Sequence, residues 1–162
     1  TYVPKYIFTL SKVTSSCVNM LFSLGAMLIV LFVCRVPLNW YMLFIPVIIL
    51  QVYVFSTGIG LFLSQATVFF RDVQYIYAAF MTGWMYLTPI FYPINQLPDG
   101  LKWGITTFNP LYSYITQFRT VVLMQQLPEL GMILQGIIIA MAVLVLGTVC
   151  FMKNQDRFIL YI

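Results

Sequence analysis

The side chains that could carry acid–base or metal chemistry are few and scattered. The chain of 162 residues contains no histidine, and its acidic residues are only Asp72, Asp99, Glu129 and Asp156. Histidine is the commonest general base and metal ligand, and acid–base catalysis needs groups within reach of one another. A glycine-rich phosphate loop of the Walker type is also missing from the sequence. We therefore expect no enzyme, no metal site and no ATP site in this chain, so energy for any work must come from a gradient or a partner.

The three cysteines do not suggest a redox or metal site. Cys17, Cys34 and Cys150 are an odd number and lie within or beside apolar runs. We interpret them as packing residues facing lipid or the protein core, and a disulfide or metal set is the alternative.

Aromatic and hydroxyl side chains are concentrated in one apolar run, residues 75–92. Positions 77 and 84 are two helical turns apart and share a face, whereas Tyr86 lies about 200° further round from Trp84. Aromatic rings suit sugars, which present apolar C–H faces, although plain helix packing would explain the same residues. We predict that Tyr86 packs against another helix or against the interrupted segment that follows, residues 93–127. The predicted substrate path consists of Tyr77, Phe80, Trp84 and Phe91.

A short polar loop, Phe70, Arg71 and Asp72, separates two long apolar runs. Charges beside a bilayer are usually paired or in contact with a partner. We hypothesise that this loop keeps the cytoplasmic helix ends in register with gate helices, and a simple topology anchor is the alternative.

The elements that must position these residues are membrane-spanning helices. Apolar residues make up 62% of the chain and charged residues 7%, against about 25% charged in soluble domains. About 20 apolar residues cross the ~30 Å hydrocarbon layer as a helix. We predict an all-α integral membrane helix bundle that forms a single transmembrane domain, residues 1–162. Its predicted spans are 13–34, 41–66, 75–92 and 132–152.

The segment 93–127 differs from the spans because prolines and glycines interrupt it. Its apolar pieces, 101–108 and 111–124, are each too short to cross the membrane. We predict a re-entrant or interfacial helical segment on the outer side, and a loop lying on the headgroups is the alternative. Its marker residues are Pro93, Asn109 and Pro110.

The bias of lysine and arginine sets the predicted orientation. Segments 1–12, 67–74 and 153–162 are predicted to be cytoplasmic. Five basic residues then lie inside and three outside, which agrees with the positive-inside rule. The inner set is Lys5, Lys12, Arg71, Lys153 and Arg157, and the outer set is Arg35, Lys102 and Arg119.

Small or polar residues recur at a spacing of four in three of the spans. Such stripes let helix backbones approach closely. We expect intramolecular packing, with a subunit interface or conduit wall as the alternative. The stripes are Ser15, Asn19 and Ser23; Ser56, Gly60 and Ser64; and Gly136 with Ala140.

Three ordered motifs give the chain a family resemblance. They are Phe70-Arg71-Asp72, Thr88-Pro89-Ile90-Phe91-Tyr92-Pro93 and Asn109-Pro110, and the tail 154–162 adds to them. In this order they resemble the membrane subunits of ABC-2 type exporters, and most of all the branch that exports lipopolysaccharide O-antigen, teichoic acid and capsule chains.

The resemblance implies a fold and a mechanism. Family members are longer, so these spans would be the last four of six, and residues 1–12 would end a cytoplasmic coupling region. The resemblance implies a homodimer of permease subunits in the bacterial cytoplasmic membrane, surrounded by membrane lipids and without nucleic acid. Separate ATPase subunits would bind ATP and Mg²⁺ on the cytoplasmic face, and a lipid-linked glycan would be threaded outward. The alternatives are an exporter of a small lipid or drug, another transporter class, and a membrane-embedded enzyme or anchor.

Overall fold

The computed structural model describes residues 6–35, 39–70, 72–90 and 92–154, and every regular element in those ranges is helical. This confirms the predicted all-α helical bundle. Two 3-10 turns, Trp40–Phe44 and Ile94–Gln96, accompany the α-helices. The α-helices are α1 Tyr6–Val33, α2 Ile45–Phe69, α3 Val73–Leu87, α4 Asp99–Phe108, α5 Pro110–Val122 and α6 Leu130–Asn154.

Three segments of the described chain are long and apolar enough to cross a membrane. They are Ile7–Val33, Trp40–Phe69 and Leu130–Lys153, with mean hydropathies of 2.2, 2.1 and 2.5. Large apolar side chains on these helices are exposed, as a bilayer requires of an integral membrane protein. The predicted cytoplasmic residues Lys5 and Arg157 lie outside the described residues. We call the end where α1 finishes and α2 and α6 begin the outer end of the bundle.

The third predicted span, 75–92, is shorter in the structure. Helix α3 has 15 residues, or about 22 Å, less than the ~30 Å hydrocarbon layer. It ends at Leu87 because Thr88 precedes Pro89, and a residue before proline avoids the α conformation. Thr88 is accordingly extended, with φ −78° and ψ 128°. Of the four predicted spans, three are therefore long enough to cross the membrane within the described ranges, and the third one, α3, is not.

The other helix bounds differ from the predicted ones at their ends. Helix α1 is described from Tyr6 onward, so residues 6–12 of the predicted coupling region are continuous with the helix of the first predicted span; no proline or glycine interrupts the helix there. Helix α2 begins at Ile45 after a 3-10 turn, with Pro46 in its first turn.

The core of the bundle is the pair α2 and α6, with α5 packed against both and α1 on α2. Gly58 and Gly147 allow the closest approach, since a Cβ on Gly58 would lie 2.6 Å from the backbone nitrogen of Leu144. Gly60 contacts α1, which fits the packing interpretation of the α2 stripe. The α1 stripe differs: Ser15, Asn19 and Ser23 are all exposed.

Candidate functional site

The segment 93–127 folds mainly as a helical hairpin made of α4 and α5. The two helices have 10 and 13 residues and are joined at Asn109. At about 15 and 20 Å, neither can span the hydrocarbon layer alone. Helix α5 is nevertheless deeply buried against α2 and α6, with Val121 and Gln117 inaccessible to solvent. This packing supports the re-entrant interpretation over a loop on the headgroups.

The tip of the hairpin is fastened to α3 by the side chain of Asn109, which is 6% exposed. Its Oδ1 accepts hydrogen bonds from Leu111 N at 3.1 Å and from Trp84 Nε1 at 3.0 Å. Its Nδ2 donates to Thr88 Oγ1 at 2.8 Å. Asn109 therefore caps the N-terminus of α5, where Pro110 fits the first turn, and also ties that helix to the end of α3.

Because α3 ends early, backbone carbonyl groups at and after its end lack partners within the helix, and side chains donate hydrogen bonds to them instead. Arg119 Nη1 donates to Pro89 O at 3.2 Å, and Nη2 donates to Ile90 O at 2.6 Å. The Tyr92 hydroxyl lies 3.1 Å and 3.0 Å from the carbonyl oxygens of Tyr86 and Leu87. Carbonyl groups inside a bilayer need such partners, so these side chains make the break tolerable.

The structure does not bring the predicted aromatic path together within this chain. Trp84 and Phe80 are in edge contact, with ring centroids 5.1 Å apart, and Trp84 borders a cavity of about 330 Å³ against α4. Tyr77 instead lines a separate cavity of about 400 Å³ between α1, α2 and α3, which Leu111 of α5 also borders. Tyr77 and Trp84 are about 10 Å apart along α3. Phe91 lies outside the described residues.

The predicted packing of Tyr86 is wrong within this chain. Its side chain is 65% exposed. Trp84 is the residue that contacts the hairpin, because α4 and α5 approach α3 from that side. The helical spacing separated the two faces correctly, but it did not show which of them meets the hairpin.

The loop between α2 and α3 is short. Phe70 is extended and 71% exposed. Asp72 is exposed, and its carbonyl accepts from Tyr75 N and Ile76 N at the start of α3. Arg71 lies outside the described residues, so the proposed role of this loop stays a prediction.

A buried polar cluster was missed by the sequence analysis. Gln117 Nε2 donates to Met132 O at 3.0 Å and also lies 3.2 Å from Ser113 Oγ and 3.4 Å from Gln51 Oε1. Gln117 is inaccessible, and Gln51 is 5% exposed. Polar residues inside apolar spans are rare and usually have a partner. The position of Gln51 within an apolar span could therefore have indicated a buried polar contact.

Gly136 makes room for this cluster. A Cβ there would lie 3.0 Å from Gln117 Nε2, and its carbonyl accepts from the Tyr114 hydroxyl at 3.0 Å. Gln135 Nε2 donates to the carbonyls of Thr106 and Thr107 at the end of α4, at 3.2 and 2.8 Å. Helix α6 therefore holds both arms of the hairpin.

The chemistry available at this site is hydrogen bonding. Amides, hydroxyls, an indole and a guanidinium hold the backbone in place, and none of these groups is a general acid or base near neutral pH. The arrangement is suited to fixing a short helix pair inside the membrane.

The sequence of the chain matches a known family and several named proteins. Residues 1–123, which include α1 to α5, match the family described as ABC-2 type transporter. The O-antigen export system permease protein RfbA of Myxococcus xanthus is 23% identical over 156 residues, covering 96% of this chain and 60% of that protein. Two proteins of the same description from Klebsiella pneumoniae are 31% and 30% identical over 121 residues, covering 74% of this chain and 46% of each. The chain thus spans about half the length of these relatives.

Proposed function

Because the chain belongs to the ABC-2 type transporter family, we propose that it forms part of the permease subunit of an ATP-driven polysaccharide exporter. The substrate would be a lipid-linked polysaccharide, and the membrane the cytoplasmic membrane of a bacterium. The names of the relatives, all O-antigen export permeases, support this substrate class.

The structural observation that carries the proposal is the hairpin fastened to the broken end of α3. Helices that stop inside a bilayer are tolerated where they are packed in protein or line a water-filled cavity. Here Gln117 and Asn109 are buried on the packed face of α5. On α4, in contrast, Trp103 is 64% exposed. A polymer leaving the membrane would meet this outer rim of short helices and aromatic rings.

The proposed partners follow from the same family. Two permease subunits would form a homodimer, and separate ATPase subunits with bound ATP and Mg²⁺ would supply energy at the cytoplasmic face. The loop with Phe70, Arg71 and Asp72 would lie on that face, close to the docked ATPases. The aromatic path of Tyr77, Phe80, Trp84 and Phe91 would then have to be completed between protomers, because the cavities bordered by Tyr77 and Trp84 are separate within one.

Gene deletion and complementation in the source organism test the proposal. Deleting the gene should remove polysaccharide from the cell surface while lipid-linked polymer accumulates inside, and the wild-type gene should restore export. Surface polysaccharide is measured by antibody or lectin labelling of intact cells and compared with total extract. Normal surface polysaccharide together with new sensitivity to a drug or toxic lipid would instead indicate a small-molecule exporter.

A further inference from the structure

Helix α1 carries a single carboxamide side chain, Asn19, near the middle of its membrane-spanning segment. That segment, Ile7–Val33, has 27 residues, so about 20 Å of helix lie between Asn19 and either end. An asparagine side chain is too short to reach water from that depth, in contrast to lysine or arginine, which extend to the interface. The amide of Asn19 therefore lies in the hydrocarbon layer or in contact with protein.

The Asn19 side chain has no hydrogen-bond partner within the described part of the chain. It is exposed, and the Ser23 hydroxyl donates to the backbone carbonyl of Asn19, at 3.1 Å, and not to its amide. Asn19 also lines neither of the two cavities that α1 borders. A carboxamide has two N–H donors and a carbonyl acceptor, and leaving them unpaired in hydrocarbon is costly. Polar side chains inside membrane spans accordingly face protein or a water-filled cavity.

The helix face around Asn19 fits a protein neighbour better than water. Ser15 and Ser23 lie four residues on either side of Asn19, and Ala26 lies seven residues on, so small side chains flank the amide on one side of α1. Val30 continues the same face towards the outer end and is 59% exposed. Water along the face would have to hydrate this apolar part, whereas small residues around a polar one let a second helix approach and form a hydrogen bond.

We propose that this face, defined by Ser15, Asn19, Ser23 and Ala26 and called the Asn19 face, packs against a further transmembrane helix of the permease. That helix lies in the part of the full-length protein outside residues 1–162 and presents a polar side chain to the Asn19 amide. The chain covers 60% of the relative from Myxococcus xanthus and 46% of those from Klebsiella pneumoniae, so these relatives contain enough further sequence for such a helix. The inference goes beyond the proposed function, because it does not depend on the exported substrate.

Photo-crosslinking in the full-length permease tests this contact. A diazirine-bearing amino acid replaces Ser23, which leaves Asn19 intact, and mass spectrometry identifies the captured peptide. Leu21, on the opposite side of α1 at nearly the same depth and 48% exposed, is the matched control position and sets the background. We expect position 23 to capture an apolar peptide from outside residues 1–162, at a yield above that of position 21. Capture of lipid alone would overturn the proposal, as would capture of residues 1–162 from a second copy.

The sign of a stability change gives a second test. Asn19→Leu removes the interhelical hydrogen bond, and we expect it to lower the melting temperature of the full-length permease by about 2–4 °C. Asn19→Gln keeps a carboxamide and should lose less. A lipid-facing Asn19 would behave in the opposite way, because leucine is the better residue in hydrocarbon and would raise the melting temperature. An unchanged or raised melting temperature for Asn19→Leu would therefore overturn the proposal.

Discussion

At the scale of single residues, Asn109 makes the most connections at the site. Its side-chain amide caps α5, accepts a hydrogen bond from the Trp84 indole N–H and donates one to the Thr88 hydroxyl. Asn109→Ala should lower the unfolding free energy by roughly 1–3 kcal/mol, because it removes a helix cap and leaves the half-buried Trp84 indole N–H unpaired. Thermal unfolding of the purified permease measures this, and Asn95→Ala, at an exposed position, is the control. Equal midpoints for the two variants would contradict the anchoring role.

Trp84 offers a test that separates ring stacking from anchoring. Trp84→Phe keeps an aromatic ring but loses the N–H donor to Asn109. We expect it to lower stability by about 1 kcal/mol while preserving export, and Trp84→Ala to reduce both. Trp40→Phe, at an 88% exposed position, is the control. Export and melting temperature are measured in parallel; normal export by Trp84→Ala would exclude Trp84 from the substrate path.

At the scale of elements, the sequence predicted the helices better than their contacts. The apolar runs located α1, α2 and α6, and the prolines and glycines of 93–127 marked the short hairpin. The Thr88-Pro89 step also carried the signal for the early end of α3, but the apolar run continued past it. The pairing of Gln51 with Gln117 was beyond reach, because the two residues are 66 positions apart and only the tertiary fold joins them.

The close contact of α2 and α6 depends on Gly58. Gly58→Ala would place a Cβ 2.6 Å from the backbone of Leu144, which cannot move aside as a side chain would. We expect destabilisation by about 1–3 kcal/mol. Gly83→Ala in α3 is the matched control, since nothing lies within 4 Å of its Cβ position, and better helix propensity should stabilise it by up to about 1 kcal/mol. Chemical or thermal unfolding that gave both variants the same sign would refute the contact.

The buried polar cluster should respond asymmetrically to mutation. Gln117→Leu removes a buried Oε1 that has no partner among the described residues, but it also removes hydrogen bonds to Met132, Ser113 and Gln51 and should cost roughly 1–3 kcal/mol. Gln51→Leu should be nearly neutral, because it loses one long hydrogen bond and also removes a buried Nε2 that has no partner among the described residues. Unfolding midpoints of the two variants provide the comparison. A larger cost for Gln51→Leu would show that Gln51 holds a further partner.

At the scale of the whole molecule, topology is the first property to establish. We expect Lys102, in the hairpin, to face outward and Lys153, in the last turn of α6, to face the cytoplasm. Cysteine replacements at the two positions, in a background without Cys17, Cys34 and Cys150, can be labelled with an impermeant maleimide. Lys102→Cys should react in intact cells, and Lys153→Cys only after permeabilisation. The reverse labelling pattern would show that the bundle has the opposite orientation in the membrane.

The short helix α3 has a consequence for the surrounding bilayer. Its 15 residues leave the apolar thickness on this side of the protein about 8 Å below that of an ordinary membrane. Lipid that borders α3 would have to thin to match it, at a cost of fractions of a kcal/mol per ångström of hydrophobic mismatch. We therefore expect the turnover of the full-length protein in vesicles to fall as lipid acyl chains are lengthened.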